Sequence, residues 1–376
     1  MRILLIGPSY PFRGGISHYT TLLYRHLKRR HEVRFLSLRR QYPRWLYPGS
    51  SDRDQSDFAI REEGTEYVLD PANPWTWLQT IDRACDYRPD LVILPWWVSF
   101  WAPSYMTILS IAKRCTQAHV LYLCHNVVPH EAGGLDRWLT RWALRYGDYF
   151  IVHSAQDQSN LQHLLPQARV CRTVHPTYDV FRRQEITQGE ASRRLGTPGD
   201  MLLFFGFVRP YKGLEYLISA MRLILVAREV HLWVVGEFWQ SVEMYRSQIE
   251  SLGLEERVHI VNRYVPNEEV GLYFAAADAV VLPYLSGTGS GIAQIAFGYE
   301  KPVVATTVGD LPEVVEEGKT GFIVPPANAE ALAKAVLAIY EKSGEEWAAN
   351  IRARRDRFSW DRLADCIENF VAGTAA

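Results

Sequence analysis

Hydrophobic and polar positions alternate along this chain in two successive rounds of strand and helix. Arg2-Ile3-Leu4-Leu5-Ile6 is a short apolar run that stops at Gly7, and a long loop, PSYPFRGG, carries the chain to Gly14-Gly15. Ile16, Tyr19, Leu22, Leu23 and Leu27 then keep helical spacing on one face, with Arg25, Lys28 and Arg29 elsewhere, the pattern of an amphipathic helix. Further apolar runs predict strands near residues 33–38, 66–70, 90–95, 119–124 and 149–153, with amphipathic stretches such as Trp75–Tyr87 and Leu135–Tyr146 between them. Near-continuous apolar strands joined by helices specify a parallel sheet covered on both faces. That reading covers residues 1–175.

Residues 176–200 are polar and contain Pro198-Gly199, which suits a linker and an entry helix. A second alternation follows, with strands expected near Met201–Phe205, His231–Val235, Val258–Val261, Ala279–Leu282, Pro302–Thr306 and Gly321–Val324. Helices are expected at Gly213–Val226, Ile292–Tyr299 and Ala329–Tyr340, and an amphipathic tail runs from Trp360 to Ala372. The fold class is α/β: two Rossmann-like, doubly wound parallel-sheet domains.

Composition agrees with that picture. A chain of 376 residues exceeds the usual size of one core, so two domains are the expectation. Apolar content of 48% and charge of 22% describe an ordinary globular protein. No apolar run reaches the length of about 18 residues that a membrane-spanning helix needs. The opening MRILLIGPSY suits a first buried strand better than a leader. Cys85, Cys115, Cys124, Cys171 and Cys366 are scattered and lack metal-ligand spacing, so they read as reduced, mostly buried thiols of a cytoplasmic protein.

Charge changes the picture at one end. Met1–Tyr47 holds ten Arg or Lys against one acid, Glu32. Within it, Arg39–Tyr47 mixes arginines with Tyr42, Trp45, Leu46 and Tyr47. Cations interleaved with interfacial aromatics suit an anionic membrane surface. A solvated basic face and a nucleic-acid patch are the competing readings, and no nucleic-acid partner is expected.

Four loops at the expected carboxyl edges of the sheets carry the candidate chemistry. The first is Gly287-Thr288-Gly289-Ser290-Gly291, between the strand ending at Leu282 and the helix starting near Ile292. Small residues let a ligand reach the backbone, and a helix N-terminus presents unpaired N–H groups to an anion. A plain tight turn is the bland alternative. Gly14-Gly15 can offer the same backbone donors at the first helix. Arg209 and Lys212, three apart in FVRPYKG, suit a diphosphate, or are surface cations. His125-Asn126 follows the strand 119–124 as a polar pair, or as a satisfied turn. Trp96, Trp97, Phe100 and Trp101 either line an acceptor site or pack in the core. The one Asp-x-Asp, Asp52-Arg53-Asp54, sits in the polar run SSDRDQSD and reads as a solvated loop, so no metal is expected.

With these residues in place, the sequence resembles a family 4 retaining glycosyltransferase of GT-B architecture. Gly14-Gly15, His125-Asn126, FFGFVRPYKGLEYLISA from Phe204, VVGE from Val234, SGIAQIAFGYEKPVVATTVGDLPEVV from Ser290 and GKTGFIVPP from Gly318 carry the resemblance. It implies an N-terminal acceptor domain of residues 1–175 joined by 358–376, and a C-terminal nucleotide-sugar domain of 176–357. It implies that Arg209 and Lys212 hold the diphosphate and that Gly14 and Gly15 contact it from the other domain. Gly236, Thr288, Gly289, Ser290, Gly291 and Ile292 belong to the donor site on the same grounds, Arg263 and Tyr264 lie by the base, and Gln294 takes the ribose. His125 faces the donor sugar, with Asn126 and Trp97 on the acceptor side. The substrate implied is a nucleotide-diphosphate sugar, with no cofactor, and the acceptor a lipid-linked, polysaccharide or other glycan. The place of action implied is the cytoplasm, peripheral on the inner face of the plasma membrane.

Three positions depart from the family pattern. Gly287 and Ile295 stand where most members carry two glutamates, and Phe207 stands where an arginine is usual. They suit an SG-x-x-Q branch. A catalytically silent nucleotide-sugar-binding partner of a glycan synthase and a nucleotide-sugar epimerase of the same fold are the alternative functions.

Overall fold

The computed structural model describes residues 1–43, 51–128, 133–182, 186–197 and 199–373. Its residues fall into two units: Met1–Gln55 with Ala59–Val174 and Ser359–Ala376, and His175–Phe358 with Ser56–Phe58.

The first unit is built on strands β1 (Arg2–Ile6), β2 (Glu32–Leu38), β3 (Thr65–Leu69), β4 (Leu91–Trp96), β5 (His119–Cys124), β6 (Tyr149–Val152) and β7 (Val170–Arg172). They lie in the order β3-β2-β1-β4-β5-β6-β7, every neighbour parallel. All six residues of β4 are buried, as expected of a central strand with helices on both faces. The second unit holds β8 (Asp200–Phe205), β9 (Val230–Val235), β10 (Val258–Val261), β11 (Ala279–Leu282), β12 (Val303–Thr306) and β13 (Gly321–Val324), ordered β10-β9-β8-β11-β12-β13 and again all parallel. In each sheet the chain order reverses once, between β1 and β4 and between β8 and β11. Ligands of doubly wound sheets settle outside the carboxyl ends of the strands at that reversal.

The terminal helix Trp360–Val371 belongs to the first unit. Ser359 caps it by accepting from Arg362 N, and its Trp360 ring meets Tyr19 of the helix Gly15–Leu27 at 5.1 Å. Its acids meet the basic turn that follows that helix: Arg30 pairs with Asp365, and His31 Nε2 lies 2.9 Å from Glu368.

Two expectations change here. β7 and the helix Ala102–Thr116 complete the first unit beyond the elements read from the sequence. The thiols are not all reduced. Cys85 and Cys115 form a disulfide between the helices Pro74–Tyr87 and Ala102–Thr116, with Cα atoms 5.7 Å apart. Neighbouring helix packing, not sequence spacing, brings them together. Cys124 is a buried thiol, and the half-buried Cys171 and Cys366 have sulfurs 2.9 Å apart.

The basic N-terminal stretch is largely neutralised within the fold. Arg25 and Lys28 share Glu62, Arg34 pairs with Glu66, Arg40 with Asp70 and Arg30 with the terminal helix. Arg44–Tyr47, the second half of the aromatic-basic segment, lie outside the described residues. No helix among the described residues is long and apolar enough to cross a membrane.

Candidate active site

The second unit gathers its candidate residues at the reversal between β8 and β11. β8 ends at Phe205 and leads through Gly206 to a 3-10 turn, Pro210–Lys212. Gly213 closes that turn at φ 64° and opens the helix Leu214–Ala227. A Cβ there would stand 2.1 Å from Pro283 O, just past β11, so only glycine lets the two loops close on each other. Gly236, after β9, plays the same part at φ 151°, where a Cβ would stand 2.0 Å from Gly206 O.

This packing presents two cations. Lys212 is buried, 8% exposed, and among the described residues has no carboxylate partner. Burial, and then the charge of Arg209, push its pKa down to about 8. Both Lys212 Nζ and Ile292 Cδ1 lie within 3.4 Å of the space a Cβ on Gly206 would fill, which sets the ammonium beside the first turn of the helix Gly291–Gly298. The half-buried Arg209 lies 5.0 Å from the Trp239 ring centre and 5.2 Å from that of Tyr211. These flat faces hold the guanidinium without neutralising it.

The helix Gly291–Gly298 begins at Ser290, which has extended backbone and makes no capping bond with its side chain. Its Oγ instead lies 3.1 Å from the Tyr284 hydroxyl, leaving the first backbone N–H groups to another acceptor. No acid occupies the first turn. One turn in, Gln294 is 1% exposed, and among the described residues neither Oε1 nor Nε2 has a hydrogen-bond partner. A buried amide with both ends unsatisfied costs stability.

The preceding loop is braced by Asp310. Its N donates to Thr288 O at 2.9 Å, and a Cβ on Gly289 would fall 2.8 Å from its Oδ2. Arg263, expected beside a base, is engaged by Glu269, with Nη1 donating to Oε1 at 3.3 Å. Its charge is thereby balanced, while Tyr264 next to it is half-buried. Tyr284, Trp239 and Asp310 were given no role by the sequence; Asp310 stands inside the block from Ser290 that carries the resemblance and Tyr284 just before it, whereas nothing in the order of residues marks Trp239.

In the first unit, the loops after β1 and β5 come together. Gly14, at φ 108°, caps the helix Gly15–Leu27, and Tyr19 on that helix meets the His125 ring edge-on at 4.4 Å. His153 is buried, which lowers its pKa to about 4, so it is neutral. Its Nδ1–H donates to Thr173 O at 2.9 Å, and its Nε2 therefore accepts from the Tyr19 hydroxyl at 3.1 Å. Asp157 holds the loop beyond His125 by accepting from Val127 N at 3.0 Å and from Ser154 Oγ at 2.9 Å. Asn126 Oδ1 is buried and has no hydrogen-bond partner among the described residues. Trp96 and Trp101 are fully buried packing residues, whereas Trp97 is half-buried and donates from Nε1 to Tyr42 Oη at 2.7 Å.

Residues 14–177 match the family described as glycosyl transferase 4-like domain, and residues 199–342 match glycosyl transferases group 1. The first unit thus carries a glycosyl transferase 4-like domain and the second a glycosyl transferases group 1 domain, on the GT-B fold. Among its relatives, D-inositol 3-phosphate glycosyltransferase of Saccharomonospora viridis is 28% identical over 234 residues, 58% of this chain and 54% of the relative. GDP-mannose:glycolipid 4-beta-D-mannosyltransferase of Xanthomonas campestris pv. campestris is 27% identical over 220 residues, 57% of this chain and 58% of the relative. The chain therefore spans little more than half the length of these curated relatives. Among solved structures, Anabaena HepE in complex with UDP superposes with a TM-score of 0.75 at 19% identity, covering 99% of this chain and 100% of that one. Sucrose-phosphate synthase of Thermosynechococcus elongatus superposes with a TM-score of 0.71 at 18% identity, over 99% of each chain.

Proposed function

We propose that this chain transfers a glycosyl group, with retention of configuration, from a nucleotide-diphosphate sugar to a glycan or lipid-linked acceptor. The observation that carries the reading is the buried, unpaired Lys212 beside Arg209 and the open N-terminus of the helix Gly291–Gly298. Two cations and a helix terminus within one unit offer a diphosphate the charge compensation that water would otherwise supply. Related proteins bind such ligands: HepE was solved with UDP and with UDP-glucose, and the Xanthomonas relative is named for GDP-mannose and a glycolipid.

In this reading the bond from the sugar anomeric carbon to the diphosphate oxygen breaks as the acceptor hydroxyl oxygen attacks the same face. Its proton passes to the departing phosphate. Lys212 and Arg209 stabilise the charge that develops there, an interaction stronger in the transition state than in the ground state. Gln294 hydrogen-bonds the ribose. No divalent ion is required, since cations and backbone amides carry its electrostatic part. His125, Asn126 and Trp97 serve the acceptor and sugar side.

A second reading has one observation in its favour. Gly287 and Ile295 put no acid where the family's sugar-binding glutamates stand, which suits a nucleotide-sugar-binding subunit without turnover. A panel of nucleotide sugars, scored for both hydrolysis and transfer with chelator present, separates the two. Turnover that Lys212→Ala abolishes supports the transferase. Saturable binding with no turnover supports the silent subunit. Nucleotide binding that is unchanged in Lys212→Ala removes the site from both.

A further inference from the structure

We infer that the helix Gly134–Leu144 docks this chain on an anionic lipid bilayer. Its buried side is short: Thr140, Ala143 and Leu144 face the first unit's core. On the opposite side, Leu135, Trp138 and Trp142 are 70%, 54% and 39% exposed. Three large apolar side chains on successive turns form one patch, and the two indole rings lie 5.8 Å apart.

Cations border this patch. At 100° per residue, Leu135, Trp142 and Trp138 form one arc, and Arg145, Arg141 and Arg137 continue it. All three arginines are exposed, and among the described residues none has a carboxylate partner. Arg145 lies 4.5 Å over the Trp142 ring. Asp136, the one acid of the helix, is turned inward, accepting from Ser99 Oγ and from Gly133 N at 3.2 Å. A groove of about 760 Å³ runs beside the helix, and Trp138, Arg141, Trp142, Arg145, Phe150 and Leu165 are among its lining residues.

Indoles prefer the headgroup level of a bilayer, and arginines extend from there to lipid phosphates. The other cation-rich stretch offers less: Arg25, Lys28, Arg30, Arg34 and Arg40 are already paired with acids. Other exposed apolar residues, such as Trp75 and Leu78 on one helix or Leu223 and Val226 on another, have no comparable row of unpaired arginines. The inference deepens the proposed transfer to a lipid-linked acceptor, but it rests on this surface and can be tested without turnover.

The test is flotation of the full chain with vesicles of neutral phosphatidylcholine, and of phosphatidylcholine mixed with phosphatidylglycerol. Binding to the anionic vesicles alone is expected. Arg137→Glu, Arg141→Glu and Arg145→Glu should each weaken it roughly five-fold or more, and Trp138→Ser with Trp142→Ser should abolish it at unchanged melting temperature. If the tryptophan variant does not fold, the arginine variants decide the matter. Equal binding to neutral vesicles overturns the inference. So does loss of binding in Arg39→Glu with Arg40→Glu but not in the helix variants, or a dimer broken by the tryptophan changes in a chain that ignores vesicles.

Discussion

The Tyr284 hydroxyl lies 3.1 Å from Ser290 Oγ. The ring of the same tyrosine lies 5.3 Å from Lys212 Nζ, so one side chain links the cation after β8 to the cap of the helix Gly291–Gly298. The pairing has a direct consequence. With Ser290 turned to Tyr284, the helix N-terminus is not closed by its own cap, and among the described residues no acid pairs with the nearby Lys212. A diphosphate would answer both.

Lys212 makes donor binding pH-dependent. Its pKa falls from 10.5 to about 8 on burial. Between those values the unfolded chain binds more protons than the folded one, so this group's contribution to stability rises with pH there. Ligand binding runs the other way. A diphosphate favours the charged amine, so affinity should fall above about pH 8, by up to about tenfold per pH unit. Calorimetric titration of UDP or GDP across that range should show the fall, and Lys212→Arg should flatten it. An identical slope in Lys212→Arg would assign the titration elsewhere.

Gln294 should trade stability for binding. Replacing it by Met removes two unsatisfied buried polar atoms at similar volume and should stabilise the chain by about 1–3 kcal/mol. The same change should weaken nucleotide-sugar binding. Thermal melts with and without donor read both quantities. A lower melting temperature, or unaltered affinity, would count against a ligand role.

Gly236 and Gly253 form a matched pair of substitutions. Both have positive φ, 151° and 64°, but a Cβ on Gly236 would stand 2.0 Å from Gly206 O, while nothing lies within 4 Å of one on Gly253. Gly253→Ala should cost about 1–2 kcal/mol. Gly236→Ala should force β8 and β9 apart at the site and cost several kcal/mol, or abolish donor binding in whatever folds. Denaturant melts and a nucleotide-binding assay on both variants provide the comparison.

The disulfide is open to counting. Denatured, unreduced protein should present three alkylatable thiols, those of Cys124, Cys171 and Cys366, and all five only after reduction. Cys85 and Cys115 are 30 residues apart, and closing such a loop restricts the unfolded chain by about 3–4 kcal/mol. Reductant should therefore lower the melting temperature of the native sequence and leave Cys85→Ser with Cys115→Ser unchanged. Five reactive thiols without reductant would show the bond absent.

The sequence by itself determined the two parallel sheets and the loops that bear chemistry. Buried central strands such as β8 and β11 are nearly continuous apolar runs, and their loops begin where the run ends, at Gly206 and Pro283; that information is local and periodic. It also placed Arg209, Lys212, Ser290 and Gln294. Only the tertiary structure decided which of these act together. The burial of Gln294 without a partner among the described residues, the burial that lowers the pKa of Lys212 and the Trp239 face beside Arg209 depend on how separate strands and loops pack together. The same reason governs the surface: Arg25, Arg34 and Arg40 look like a basic patch in sequence, but the fold brings Glu62, Glu66 and Asp70 to them, while Arg137, Arg141 and Arg145 are left to the solvent. Charge is counted along a chain, but whether it is spent is settled by what folds against it.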